Sequence, residues 1–440
     1  MVGLLMVVIA LCCYVQLGCG SGSGVNTSAT QSPSTGPNGT SANGNGNSSA
    51  DIGSGVSNGS QPQFLISAEV TFSGTRDDQN DYEVFRFDPV SGTLTPVVSY
   101  PSGCVAVTSM AVHPNSQWVY TTEGYTCPNF TAPYGEVFSL DSISGALSPI
   151  PGAPFWPGTF GNGVVVHPNG QFVYYSEYGF GNLPGNDGQG GMAGFSIGAN
   201  GAPAPLPGSP FSAYALGSNG MAITSDGRFL FAVPQNLNDT NTPTNSLIYT
   251  FAVNVNSGAL SQIAVNVVGP SAISLANAVH VAPSGDYVYV ASDSAISVFQ
   301  LNQQTGQMTP VPGSPFPSVT QLTSFAMSPN GRFLYAAGCV PSDGCRTQGF
   351  LETYAVDPTT GQITPLGSPS PLPGNALIAA SGTFVFAATG TSTLSADETG
   401  DILGGAISIF SVDPTTGALT LKGITSTTGA PFDLLAIPAQ

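Results

Sequence analysis

The sequence predicts an all-β protein in which seven copies of a four-stranded antiparallel sheet close into a ring. Three observations lead to this prediction: few charged residues in a chain rich in glycine and proline, a hairpin motif found six times, and a turn motif found seven times. Charged residues make up 7% of the 440 residues, whereas about 25% is usual in soluble domains. Amphipathic helices need charged residues on their solvent-facing side, so six basic residues favour strands instead.

The charge balance excludes two classes of partner. Six basic and 24 acidic residues give a net charge of -18, which repels nucleic-acid phosphates and anionic lipid headgroups. We therefore expect no nucleic-acid partner and no membrane contact except through an N-terminal anchor. Hydrophobic residues make up 41% of the chain, which is enough for a packed core and excludes overall disorder.

Residues 1–19 have the pattern of an export signal. The apolar run from Met1 to Val15 is shorter than the roughly 20 residues of a membrane span. Gln16-Leu17-Gly18-Cys19 follows it and resembles the end of a bacterial lipoprotein signal, which predicts lipidation of Cys19. A cleaved signal without lipid and an uncleaved anchor are the alternatives. We expect an extracytoplasmic protein, tethered to a membrane in the periplasm or at the cell surface.

Residues 20–61 are predicted to form a disordered tether. They consist almost entirely of Gly, Ser, Asn, Thr and Ala, which bury too little apolar surface to fold. A flexible chain of this length reaches about 35 Å. The folded domain is therefore predicted to span residues 62–440.

The hairpin motif consists of a short apolar run, a tight turn and an alternating aromatic and aliphatic run. It reads HPNSQWVY in its first copy and SPNGRFLY in a later one, and its turn residues are 54, 57, 58, 46 and 51 positions apart. The copies begin at His113, His167, Thr224, Ala282, Ser328 and Ala379. This pattern predicts two antiparallel strands joined by a tight turn.

The turn motif lies between the hairpins and reads VDPTTGQITP in one of its copies. Its opening Asp or Asn can accept hydrogen bonds from the backbone that follows, and its glycine can take a positive φ. The copies begin at Phe87, Leu140, Ile197, Val253, Leu301, Val356 and Val412. Together the two motifs give four short strands per repeat, named a to d from the centre outward, as in a β-propeller blade.

The two ends of the chain supply the strands of an incomplete blade. Gln63-Phe-Leu-Ile matches a b strand without its a strand, while Phe432 to Pro438 matches an a strand without its b strand. We therefore predict a seven-bladed β-propeller with four antiparallel strands per blade, in which the C-terminal strand joins the N-terminal blade. Such closure removes exposed sheet edges, and residues 62–440 divided by seven give 54 residues per blade.

The repeats resemble those of a known family, the seven-bladed lactonase propellers that include 6-phosphogluconolactonase. The resemblance rests on the PNGRFLY hairpins and the VDPTTGxLTP turns, and it covers residues 62–440. It implies the propeller fold and the hydrolysis of a lactone ring. The His or Arg-His pair that the family often carries at the start of strand a is absent here, so the sequence leaves open whether the protein is an enzyme.

Three acidic residues fall at equivalent positions in blades 1, 2 and 3. Glu69, Glu123 and Glu177 are 54 residues apart at the ends of their b strands, and Asp293 lies beside the corresponding position of blade 5. We expect them at the rim of the face that carries the b-to-c loops and the d-to-a crossovers. A Ca²⁺ ion bound by the three glutamates would relieve their repulsion, and solvated acids without a metal are the alternative.

Uncharged polar residues recur where strand a begins, beside the central channel. They are Thr108, Asn162, Asn219, Asn277 and Thr323. Their amides and hydroxyls could bind the hydroxyl groups of a sugar-like ligand, or they could cap the backbone of the crossovers.

Four cysteines remain in the predicted propeller, an even number in an oxidising compartment. We expect the disulfides Cys104–Cys127 and Cys339–Cys345, with four buried free thiols as the alternative.

The sequence thus favours a monomeric binding or interaction module, with a polar small molecule, glycan or protein held on its acidic, loop-rich face. A lactone hydrolase that uses Glu69, Glu123 or Glu177 as base or metal ligand is the alternative.

Overall fold

The structure is a computed structural model. It describes residues 62–70, 80–101, 107–123, 135–152, 161–177, 191–212, 218–234, 246–269, 278–292, 294–339, 348–374, 376–392 and 402–438. The predicted signal with Cys19 and the predicted tether lie outside these residues. No helix long and apolar enough to cross a membrane occurs among them.

The described residues form 31 strands. The first sixteen are β1 (Pro62–Val70), β2 (Asn80–Asp88), β3 (Thr93–Pro101), β4 (Val107–Val112), β5 (Trp118–Glu123), β6 (Gly135–Leu140), β7 (Leu147–Pro149), β8 (Gly161–Val166), β9 (Phe172–Glu177), β10 (Gly191–Ile197), β11 (Pro203–Pro205), β12 (Phe211–Ser212), β13 (Ser218–Ile223), β14 (Phe229–Pro234), β15 (Ser246–Val253) and β16 (Leu260–Gly269). The others are β17 (Ala278–Val281), β18 (Tyr287–Ser292), β19 (Ala295–Leu301), β20 (Met308–Pro310), β21 (Phe316–Pro317), β22 (Gln321–Met327), β23 (Phe333–Cys339), β24 (Gly349–Val356), β25 (Ile363–Pro365), β26 (Ser370–Leu372), β27 (Ala376–Ser381), β28 (Phe384–Ser392), β29 (Ile402–Val412), β30 (Leu419–Thr427) and β31 (Ala430–Pro438).

These strands make seven antiparallel sheets, which confirms the predicted seven-bladed propeller. Blade 1 has the order β31-β1-β2-β3 from the inside outward, and blade 2 consists of β4 to β7. Blades 3 to 7 follow in chain order and begin at β8, β13, β17, β22 and β27. In blades 3, 5 and 6 the outermost strand is split into two short segments that pair with the same c strand.

The ring closes where the two ends of the described chain meet. Strand β31 pairs antiparallel with β1, and Leu65 lies opposite Ala436 in this register. Around the ring each inner strand contacts the next one, in the order β31, β4, β8, β13, β17, β22, β27 and back to β31. The hairpin motif occurs six times because the seventh pair of a and b strands is this closure.

Tyrosine hydroxyls tie neighbouring blades together at the outer turns. Tyr120 donates to the Gly201 carbonyl (2.8 Å), and Tyr174 donates to the Gly258 carbonyl (2.9 Å). Both glycines have a positive φ, and a Cβ on Gly258 would lie 2.6 Å from Phe172. The glycine of the turn motif is therefore required by the backbone conformation and by the packing of the next blade.

Polar side chains tie the inner strands together as well. Asp433 on β31 accepts a hydrogen bond from the Met110 backbone N–H of blade 2 (2.6 Å). Ser109 of blade 2 accepts a hydrogen bond from the Val164 N–H of blade 3 (3.4 Å). This is the equivalent bond between the next two inner strands. Asp433 is 2% exposed, and burial raises its pKa to about 7.

The closure strand is expected to be essential for stability. Leu434 is fully buried in a cluster that joins Phe85 of blade 1 to Phe386 of blade 7. The substitution Leu434→Ala should lower the free energy of unfolding by about 2–5 kcal/mol, because it leaves a cavity at this junction. The control Leu421→Ala, on the exposed strand β30, should change it by less than about 0.5 kcal/mol. Chemical denaturation measures both, and equal effects would contradict the closure.

Asp433 should make stability depend on pH. Its pKa of about 7 in the folded protein lies above the ordinary value of 3.8, so the folded state binds the proton more tightly. Stability should therefore fall as pH rises from about 4 to about 7, since one pKa unit corresponds to about 1.4 kcal/mol. In Asp433→Asn the contribution of this proton to stability should disappear. The unfolding free energy of the variant should therefore rise relative to that of wild type as pH rises.

Unfolding free energies measured at pH 5, 6, 7 and 8 test this expectation. Ser109→Ala is the control, because it removes the equivalent link without a titrating group and should cost about 1 kcal/mol at every pH. A difference between wild type and Asp433→Asn that stays constant with pH would rule out titration of Asp433 in this range.

Candidate functional site

The candidate site is the face that carries the b-to-c loops and the d-to-a crossovers. The b-to-c connections 71–79, 124–134, 178–190, 235–245, 340–347 and 393–401 lie outside the described residues. The strand ends and the described crossovers therefore define the geometry of this face.

The inner strands share one irregularity at this face. In blade 2, Val107 pairs with Glu123 and Ser109 pairs with Thr122, so the register skips Thr108. The same shift skips Asn162 in blade 3, Asn219 in blade 4, Thr323 in blade 6 and Phe432 in blade 1. Four of the five predicted channel residues thus occupy equivalent bulge positions, where a bulge re-aims the side chain. The fifth, Asn277, lies outside the described residues.

The two threonines at these bulges hydrogen-bond to backbone carbonyls. The Thr108 hydroxyl lies 3.2 Å from the Thr122 carbonyl. The Thr323 hydroxyl lies 3.2 Å from the carbonyls of Ala337 and Ala376, the latter on the inner strand of the next blade. Their hydroxyl protons therefore stabilise the bulges, while the oxygen lone pairs can still accept hydrogen bonds. The side chains of Asn162 and Asn219 lie outside the described part.

The strand register places the three predicted rim acids at equivalent backbone positions. Glu69, Glu123 and Glu177 pair with Pro431, Val107 and Gly161, each of which directly precedes a bulge. The side chains of Glu123 and Glu177, and the whole of Asp293, lie outside the described residues. Among the described side chains no cluster of three or more His, Cys, Asp or Glu is arranged to hold a metal ion. The Ca²⁺ site across three blades stays a prediction.

Glu69 is buried, in contrast to a solvated rim acid. It is 2% exposed, and its Oε2 accepts hydrogen bonds from the Gly429 N–H (2.7 Å) and the Thr428 hydroxyl (2.9 Å). Burial, followed by the nearby charge of Glu83, raises its pKa to about 8. This carboxyl group therefore fastens the crossover between blades 7 and 1.

The structure adds a second set of acids that the rim spacing does not reveal. Each stands on a c strand five residues before the Asp that opens the turn motif, namely Glu83, Glu136 and Glu352. Glu136 accepts a hydrogen bond from the Tyr82 hydroxyl of blade 1 (3.2 Å). The spacing to the turn aspartate is a signal in the sequence that could have identified them.

The described histidines and arginines lie away from this face or inside the fold. His113 and His167 donate hydrogen bonds to the carbonyls of Gly170 and Gly227 in neighbouring a-to-b turns. His280 donates to the Phe325 carbonyl (2.8 Å), and burial lowers its pKa to about 4. The described arginines belong to the opposite face and are Arg86, Arg228 and Arg332.

The predicted disulfides stay predictions. Cys339 is buried at the end of β23. Cys345, Cys104 and Cys127 lie outside the described residues.

The comparison with protein families concerns blades 4 to 7. Residues 245–380 match the family model described as "Lactonase, 7-bladed beta-propeller". Among curated proteins no sequence matches the chain.

Several solved structures share the architecture. The periplasmic gluconolactonase PpgL of Pseudomonas aeruginosa is 17% identical, with a TM-score of 0.57 over 86% of this chain and 100% of its own. A Bacteroides uniformis protein assigned as a 6-phosphogluconolactonase is 16% identical, with a TM-score of 0.58 over 85% of this chain and 99% of its own. A Lactobacillus plantarum protein is 17% identical, with a TM-score of 0.55 over 85% and 99%. These likenesses show the fold. The described chain thus has the seven-bladed β-propeller architecture of these structures, and its residues 245–380 are similar to the lactonase family model.

Proposed function

We propose that the protein binds an uncharged polar small molecule of the sugar or sugar-lactone class at the channel mouth on its loop-rich face. The observation that carries this proposal is the repeated bulge at the inner strands. It gives the channel mouth a set of Thr and Asn positions, at Thr108, Asn162, Asn219 and Thr323. Hydroxyl and amide groups can both donate and accept hydrogen bonds, as the hydroxyl groups of a sugar require.

Charge supports a neutral ligand over a phosphorylated one. The net charge of -18 repels anions. Phosphate groups are normally held by Arg or Lys; the described arginines Arg86, Arg228 and Arg332 lie on the opposite face, while Arg76 and Arg346 belong to b-to-c connections outside the described residues. A phosphorylated sugar lactone is therefore disfavoured as the ligand.

Extracytoplasmic location is part of the same proposal. The apolar N-terminal run supports export, and the Gln16-Leu17-Gly18-Cys19 sequence supports a lipid tether. The periplasmic origin of the similar gluconolactonase PpgL agrees with export.

Binding at the bulges can be measured by calorimetric titration with glucose, glucono-δ-lactone and glucose 6-phosphate. We expect saturable binding of a neutral compound and weaker binding of the phosphate. Asn162→Ala and Asn219→Ala should each weaken binding about fivefold, because each removes a hydrogen bond worth about 1 kcal/mol. The control Asn169→Ala changes an exposed asparagine in an a-to-b turn of the opposite face and should leave the affinity unchanged. Equal losses in all three variants, or tightest binding of the phosphate, would argue against this site.

Hydrolysis of the bound lactone is the second candidate function. It is favoured by the lactonase family model and by the gluconolactonase among the similar structures. The reaction needs a base that activates water and a group that stabilises the oxyanion. One oxygen of Glu69 already bonds to Thr428 and Gly429, so Glu123 and Glu177 are the preferred candidates for the base.

Acid release from glucono-δ-lactone, followed at constant pH above the spontaneous rate, tests this second function. If the protein is a lactonase of this type, wild type should accelerate the release, and Glu123→Gln or Glu177→Gln should abolish the acceleration. The control Asp286→Asn lies in an exposed turn of the opposite face and should retain it. Saturable binding without acceleration would leave binding as the function.

A further inference from the structure

Blade 1 holds two buried carboxyl groups on one face of its sheet. Ser67 of β1 lies opposite Glu83 of β2, and Glu69 lies opposite Asp81. Because side chains alternate between the two faces of a strand, Ser67, Glu69 and Glu83 share one face, with the glutamates as diagonal neighbours. Glu69 is 2% exposed and Glu83 is 6% exposed. Two carboxyl groups therefore lie close together and almost wholly buried.

The two carboxyl groups hold the same crossover. The Thr428 hydroxyl lies 2.9 Å from Glu69 Oε2 and 3.5 Å from Glu83 Oε2. The Thr428 N–H donates to Glu83 Oε2 (3.2 Å), and the Gly429 N–H donates to Glu69 Oε2 (2.7 Å). All these donors approach from the crossover and reach only one oxygen of each carboxyl group.

Two buried oxygen atoms on this face of blade 1 lack hydrogen-bond partners among the described residues. Glu69 Oε1 and Ser67 Oγ are both buried without a partner in the described part of the chain. A buried polar atom without a partner destabilises the folded state, and more so when it is charged. The groups that shift the pKa of Glu69 include no cation. The site thus offers acidic oxygen ligands, and no positive group among the described residues faces it.

Blade 6 shows what an equivalent acid requires when it stands alone. Glu352 occupies the position of Glu83 and is also 6% exposed. It accepts hydrogen bonds from the hydroxyls of Ser318 (2.9 Å), Thr320 (2.6 Å) and Tyr354. Gly338 stands where blade 1 has Glu69. Three hydroxyl donors satisfy a single carboxylate there, whereas in blade 1 three donor groups serve two carboxyl groups.

We propose that blade 1 binds one divalent cation of the Ca²⁺ type between Ser67, Glu69 and Glu83. Ca²⁺ prefers oxygen ligands at about 2.3–2.6 Å and accepts carboxylates, hydroxyls and water together. The cation neutralises the two carboxylates and gives the unpartnered oxygens a ligand. This site lies within one blade, and so differs from an ion shared by Glu69, Glu123 and Glu177 on three blades.

Binding of the cation links β1 and β2 to the crossover that precedes β31. A ligand that binds only the folded state raises its stability with concentration, so Ca²⁺ should stabilise the closed ring. This inference does not depend on the sugar or lactone ligand, because the ion lies between strands of blade 1. A proton shared by the two carboxyl groups is the other means of removing the repulsion, and the experiment distinguishes the two.

The first experiment uses the full chain in detergent, treated with EGTA and then titrated with CaCl₂. Calorimetry should give one Ca²⁺ per chain, and the thermal unfolding midpoint should rise with Ca²⁺ concentration. Glu83→Gln removes one proposed ligand and should weaken Ca²⁺ binding by at least about tenfold. The matched variant Glu352→Gln, at the equivalent position of blade 6, should retain the wild-type response. Loss of binding in both variants would overturn the site.

A second set of variants keeps the test decisive if Glu83→Gln does not fold. Ser67→Ala retains both carboxyl groups and should still weaken Ca²⁺ binding measurably. Glu123→Gln and Glu177→Gln should keep full binding, and its loss in either would place the ion at the rim instead. A wild-type protein that does not respond to Ca²⁺, and whose stability instead falls as pH rises through about 8, would identify a shared proton and overturn the cation.

Discussion

The pairing of β31 with β1 is the constraint on which the rest of the structure depends. Without this pairing β1 would present an unpaired edge, and the cluster that joins blades 1 and 7 would lose Leu434, whereas in the closed ring each inner strand contacts one on either side. The closure also brings Asp433 to Met110 and the Thr428-Gly429 crossover to Glu69. Buried polar groups of blade 1 therefore find their partners only when the two ends of the domain meet.

The fold could be predicted from the sequence because the recognisable residues of each repeat lie in its turns. Turn chemistry is local, so the glycine and aspartate positions reveal the strands without knowledge of packing. Alignment of the repeats also places Thr108 and Thr323 at equivalent positions, although the sequence shows neither the bulges there nor the carbonyls that their hydroxyls contact. The spacing to the turn aspartate is a sequence signal for Glu83, but its proximity to Glu69 depends on the register of β1 and β2, which becomes visible only in the folded sheet.

The shortage of basic residues determines how the carboxylates of the protein are stabilised. With six basic and 24 acidic side chains, most carboxylates must be stabilised by something other than an ion pair. Exposed turn acids such as Asp357 accept backbone N–H groups, and their pKa values are lowered. Glu352 uses hydroxyl donors, and Asp433 uses a backbone N–H of the next blade. Glu69 is an exception, because the described residues of blade 1 and the crossover provide donors for only one of its two oxygens.

The residues that build the ring differ from those that are available to a ligand. The residues of the a-to-b and c-to-d turns are engaged in packing, as Gly258 and His167 show through their contacts with neighbouring blades. The opposite face carries the b-to-c loops, and loops held by a rigid scaffold tolerate variation better than the strands they join. If the cation is bound in blade 1, it belongs with the residues that build the ring, and the ligand site is left to the channel mouth. A family that shares this architecture can therefore differ in chemistry, because closure and ligand binding depend on different residues.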